Sequence, residues 1–148
     1  MPFDASAGFL NEIAAARFGT AFARVGFSGD YGGSYFLTQL VGTAKARELY
    51  FSAEMFDADE ALRLGLVSRI VPAAALAEEV HTYAARIAAG PRVAYAYMKG
   101  NLNAALDTDL RTLLDREAVG QALTSLTEDH KEAVKAFLEK REPKFNGR

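Results

Sequence analysis

From about residue 34 onward this chain offers one amphipathic helical stripe after another, with very little sheet for those helices to cover. That imbalance is the tightest constraint on its fold. Tyr35, Phe36, Leu37, Leu40 and Val41 cluster at helical spacing before Gly42-Thr43 interrupts them, and Ala46, Leu49 and Tyr50 resume the pattern. Asp57 followed by Glu60 has the form of a capping box ahead of Ala61 to Leu64, a short helix that Gly65 stops. Leu76, Val80, Tyr83 and Ile87 make the next stripe, which ends at Gly90. Pro91 suits the first turn of a helix through Val93, Tyr97, Met98 and Leu102. Leu110, Leu113, Leu114, Ala118 and Leu123 mark another. Ser125 with Glu128 forms a second capping box, leading to Ala133, Val134, Phe137 and Leu138.

The strand candidates are few. Leu66 to Val71, rich in β-branched residues and closed by Pro72, is the best, with shorter ones around Phe18 and Phe22–Val25. Gly8 to Ala16 reads as helical, and residues 1–15 are otherwise unassigned. One or two short strands make no self-sufficient sheet. The imbalance between many amphipathic helices and too little sheet for them to cover is a sign that something upstream is missing.

At 148 residues the chain suits one domain with a real core. A net charge of −2 creates no field favouring nucleic acid or an anionic membrane. With no cysteine, disulfides and thiolate metal sites are excluded. No apolar run approaches the ~20 residues of a membrane span, and Met1 to Ala7 lack the features of a secretory signal. A soluble, cytoplasmic protein is expected.

One stretch carries chemistry. In Gly26-Phe27-Ser28-Gly29-Asp30-Tyr31-Gly32-Gly33-Ser34 a single acid sits among four glycines, just before a helix. Glycine admits positive φ and close approach of a ligand to the backbone. Two readings stand open on pattern alone: Asp30 as a site carboxylate at a helix N-terminus, or as an ordinary turn or N-cap residue. His81 and His130 sit on separate helices without ligand-like spacing, and neither is assigned a catalytic or metal role.

Four segments resemble the C-terminal half of the enoyl-CoA hydratase/isomerase (crotonase) superfamily. Ala16-Arg17-Phe18-Gly19-Thr20-Ala21-Phe22, running into the glycine stretch, resembles its strand and active-site turn. Leu40-Val41-Gly42 with Ala44-Lys45-Ala46-Arg47-Glu48-Leu49 resembles the helix pair that follows. Asp57-Ala58-Asp59-Glu60-Ala61 through Gly65-Leu66-Val67-Ser68-Arg69-Ile70-Val71-Pro72 resembles a third signature. Ala136-Phe137-Leu138-Glu139-Lys140-Arg141, with Pro143 and Phe145, resembles its tail. The likeness covers residues 16–148.

That resemblance implies an α/β crotonase-like (ClpP/crotonase) fold, truncated. It would divide into the end of the crotonase core over 16–72 and a C-terminal helical, trimerisation region over 73–148. It implies acyl-CoA thioester chemistry in which two backbone N–H groups stabilise an enolate-like intermediate, with no metal and no cofactor beyond the coenzyme A of the substrate. The oxyanion-hole loops of the family lie before the point where the likeness begins. One of the hydratases' two glutamates would fall at Phe22, which cannot move a proton. Asp30 occupies the position where isomerase-like and dehalogenase-like members keep an aspartate, so the resemblance makes it the catalytic acid/base.

Phe22, Gly29, Tyr31 and Gly32 become candidate substrate contacts, each weighed against simple core or turn roles. Phe137 and Lys140, three apart on one helix, become candidate contacts to the adenine and a phosphate of CoA; core packing and a solvated lysine are the alternatives. The basic tail, Lys135, Lys140, Arg141 and Lys144, suits a polyphosphate ligand. Implied partners are an acyl-CoA and either further copies of the chain, as trimer or hexamer, or a full-length relative. No nucleic acid or membrane is implied. The competing function is a non-catalytic oligomerisation or interaction fragment.

Overall fold

The computed structural model describes residues 11–13 and 15–148. It divides into two compact units, residues 1–81 and 82–148.

In the first unit, β1 (Asn11–Ile13) lies parallel to the later strand Arg69–Val71, with Asn11 opposite Arg69 and Ile13 opposite Val71. Of the helix expected over Gly8 to Ala16, the described residues form a strand at Asn11–Ile13, a turn at Ala15 and no regular structure at Ala16. The strand's partner is remote in sequence, so no local pattern announces the pairing. β2 (Arg17–Phe18) is short, and α1 (Phe22–Val25) is a single helical turn. A strand was expected over Phe22–Val25. The chain instead reverses at both ends, where Ala21 (φ 56°) and Gly26 (φ 71°) take left-handed backbone.

α2 (Gly33–Ser52) is interrupted at Gly42, whose φ of 78° and ψ of 163° belong to no helix. Glycine tolerates this region and side-chain-bearing residues do not. β3 (Phe56–Asp57) pairs antiparallel with β2, stacking Phe56 on Phe18 at 5.8 Å between ring centroids.

Asp57 caps α3 (Ala58–Arg63) by accepting the Glu60 N–H at 3.0 Å. Only this half of the expected box is present. The Glu60 carboxylate turns to Arg63 and Lys45. Gly65, at φ 73°, closes α3 in a Schellman arrangement: Leu66 N–H donates to Ala61 O and Gly65 N–H to Leu62 O. That turn drives Leu66 and Val67 into the core, so β4 (Arg69–Val71) keeps only the last three residues of the strand expected over 66–71. The core of this unit is Leu37, Ala46, Leu49, Ala61, Leu66 and Val67.

After a 3-10 turn at Ala73–Ala75, α4 (Leu76–Ala88) carries the chain into the second unit. There α5 (Arg92–Ala104) meets α6 (Leu110–Ser125) where Gly120 is buried; a Cβ on Gly120 would stand 3.3 Å from the Tyr97 ring. α7 (Glu128–Glu139) is capped by Thr127, which accepts the His130 N–H at 3.1 Å. The cap therefore lies two residues beyond Ser125, with His130 rather than a glutamate three positions on, and the Ser125 hydroxyl donates to Ala122 O on its own helix.

Residues 141–148 fold back along α7. Asp129, 3% exposed, accepts the N–H of Asn146 at 2.7 Å and of Gly147 at 3.0 Å, and its own N–H donates to Arg148 O. Glu132 receives the two-nitrogen fork of Arg141 at 2.6 and 2.9 Å and the Lys144 N–H at 2.9 Å. The Arg141 hydrogen bonds, followed by the Lys144 N–H, hold the Glu132 carboxyl at about 2. A carboxyl depressed in the folded state contributes stability that is fully present above its unfolded value of ~4.3 and lost as pH falls toward the folded one. Hydrogen-exchange protection of the Lys144 amide should accordingly hold at pH 5 and decline progressively between about 4.5 and 2. Glu132→Gln should remove that dependence; unchanged protection in wild type at pH 2 would contradict it.

Candidate active site

The glycine stretch runs from the end of α1 to the start of α2 through four residues of positive φ, Gly26 (φ 71°), Gly29 (φ 116°), Tyr31 (φ 49°) and Gly32 (φ 71°). The Asp30 carbonyl accepts the Gly33 N–H at 2.9 Å, which closes the turn. The N-cap position of α2 is Gly32, and no side chain caps the helix. Asp30 is thus a turn residue by its backbone and not the N-cap. Its carboxylate is exposed and takes no part in starting α2.

The wall behind this turn comes from α2 itself. Past the Gly42 break, Tyr50 returns to the glycines. A Cβ on Gly29 would lie 3.2 Å from Tyr50 Cε1, and one on Gly33 would lie 2.7 Å from the Tyr50 hydroxyl oxygen. Phe22, half-buried, stacks on Tyr50 with centroids 5.9 Å apart and planes 16° from parallel. Burial first, and the charge of Asp30 second, push the Tyr50 phenol above its ordinary value. The phenol is therefore neutral at physiological pH, beside an acid that shapes its titration.

Phe22 and Gly29 both meet Tyr50, and Asp30 and Gly32 lie in the same turn as Gly29. Tyr31 lies in the same turn with 87% of its surface exposed. Tyr50 was missed by the sequence reading. It looks like one more apolar residue in a helical stripe, and its glycine partners are some twenty positions away. A polar-tipped aromatic inside such a stripe is the signal that could have raised it.

Phe137 and Lys140 belong to the second unit. Phe137 is 83% exposed, so the alternative of core packing is overturned. Lys140 ends α7 with left-handed backbone (φ 53°), so helical spacing no longer aligns it with Phe137. The tail is less basic than its sequence suggests. Arg141 is committed to Glu132 and Glu139, and Lys135 stands 4.0 Å from Glu139. Among the described residues no three His, Cys, Asp or Glu side chains converge as a metal site, and no helix is long and apolar enough to cross a membrane.

The model of the Enoyl-CoA hydratase/isomerase family matches residues 11–148. The chain belongs to the enoyl-CoA hydratase/isomerase (crotonase) family. The match begins five residues before the likeness read from the sequence and takes in β1. A short-chain-enoyl-CoA hydratase of Clostridioides difficile is 40% identical over 124 residues, covering 84% of this chain and 80% of that protein. A crotonyl-CoA hydratase of Syntrophomonas wolfei is 36% identical over 130 residues, covering 88% of this chain and 50% of that one. Among solved structures, an enoyl-CoA hydratase/isomerase from Cupriavidus metallidurans superposes with a TM-score of 0.88 at 36% identity, over 94% of this chain and 52% of that one. The fold is accordingly a crotonase fold. The chain spans about half the length of most of the curated relatives it matches.

Proposed function

We propose that this crotonase-family chain carries the acid/base part of an active site for enoyl-CoA-type thioesters, with Asp30 as the group that moves the proton. One observation carries the reading: an exposed carboxylate stands on a left-handed glycine turn that is closed from behind by the Phe22–Tyr50 stack. The Asp30 carboxylate takes a proton from the carbon α to the thioester carbonyl of a 3-enoyl thioester. The electron pair passes into the carbonyl as an enolate, and the resulting carboxylic acid returns the proton at a different carbon. Gly29, Tyr31, Gly32 and Phe22 line the acyl side.

A carboxylate supplies about 10²–10⁴-fold, and an oxyanion hole about 10²–10³-fold for each donor. Both are needed for a working enzyme, and the resemblance places the donors in the half of the fold not matched here. The test is to assay the purified chain on crotonyl-CoA and on a 3-enoyl-CoA, alone and with a polypeptide carrying the N-terminal half of a full-length relative. Negligible turnover alone and Asp30-dependent turnover in the mixture are expected. Robust turnover by the chain alone that survives Asp30→Asn would overturn the reading.

A second reading, an oligomerisation module, is favoured by the apolar surface of α6. Leu110, Leu114, Val119 and Leu123 are 71%, 54%, 57% and 46% exposed. Exposed surface of this kind drives association. Trimer-based assemblies by light scattering at micromolar concentration support it, and a compact monomer counts against it.

A further inference from the structure

We propose that Tyr50 is a positioning residue for Asp30: its ring and hydroxyl, closing on Gly29 and Gly33, hold the turn that carries the carboxylate in one geometry. This rests on the acid/base reading of Asp30 above. The argument is geometric. Asp30 has no side-chain cap to make and stands exposed on a run of left-handed residues, an arrangement that by itself leaves a carboxylate loosely placed. The residue before it and the third residue after it both close on one aromatic ring. The Tyr50 Cε1 and hydroxyl oxygen lie 3.2 and 3.5 Å from where a Gly29 Cβ would be, and the hydroxyl oxygen 2.7 Å from a Gly33 Cβ. That hydroxyl therefore reaches both ends of the turn.

The ring is in turn fixed. Its neighbour Leu49 is buried in the core, Tyr50 packs against the same cluster, and Phe22 stacks on it. A catalytic group is useful when it is held within a fraction of an ångström by such support. The contact also explains the residue type at position 33. Its backbone is not left-handed, so the obstacle to a side chain there is the Tyr50 hydroxyl, 2.7 Å from a Cβ, which would have to shift. The phenol's response to the Asp30 charge agrees with this proximity.

Two measurements on the full chain test the proposal, and neither depends on turnover. The first is a cycle of Gly33→Ala, Tyr50→Phe and the double variant, followed by urea denaturation. The loss of midpoint in Gly33→Ala should be largely recovered when Tyr50→Phe removes the hydroxyl that the new methyl meets. Strictly additive effects would overturn the proposal. The second is ¹³Cζ NMR titration of the tyrosines. The Tyr50 titration should lie above the ordinary phenol value of about 10 and move down toward it in Asp30→Asn. A Tyr50 titration that ignores Asp30→Asn would likewise overturn it. Coupling intact in both tests, with turnover of the complemented enzyme indifferent to Asp30→Asn, would instead sink the acid/base reading and leave the geometry standing.

Discussion

Asp30→Asn is expected to lower turnover of the complemented enzyme by about 10²–10⁴-fold, the ordinary contribution of a positioned general acid/base. The substitution is close to isosteric, and the Asp30 backbone carbonyl still accepts the Gly33 N–H, so the turn itself is retained. The loss should appear in kcat with little change in KM, because an amide occupies the same space as the carboxylate but cannot accept the proton. Steady-state kinetics on a 3-enoyl-CoA measure it. Equal kcat in wild type and variant would remove Asp30 from the mechanism while leaving fold and family untouched.

Leu49→Ala is the substitution expected to cost most stability, about 2–5 kcal/mol. Leu49 is 6% exposed and packs in the cluster with Leu37, Ala46, Ala61, Leu66 and Val67. Its surroundings come from both halves of the broken helix α2, from α3 and from the turn after it, so no single neighbour can move in to fill the space. Leu138→Ala is the control: at 75% exposed it should change the stability of the isolated chain by no more than about 0.5 kcal/mol. Urea denaturation compares the two. Equal midpoints would mean that the core lies elsewhere.

The parts of this fold that could be read from sequence are those whose causes are local. Gly42 and Gly65 each act within a turn of their own position as expected, and Asp57 supplies its half of the expected box. The α7 cap was misplaced because Ser125 and Thr127 offer the same chemistry two residues apart, and the helix path decides which hydroxyl is free. β1 was missed because its partner strand is Arg69–Val71. Phe22–Val25 carries the aromatic and β-branched residues of a strand but is bent into one helical turn by its flanks. At the candidate site the same division holds. The glycine run around Asp30 announced itself, whereas Tyr50 acquires its meaning only once the chain beyond Gly42 has folded back.

Gly42 also bears on which inherited changes this chain can absorb. A Cβ there would stand in open space, so crowding by atoms remote in the chain is not what selects glycine. What the site lacks is a permitted backbone, and forcing an L-residue into that region costs on the order of 1–3 kcal/mol. Every amino-acid change that one nucleotide can make in a glycine codon adds a Cβ, so each such mutation meets the same penalty whatever its size or charge. In a saturation library, position 42 should look like a buried core site by its intolerance, although it lies on the surface.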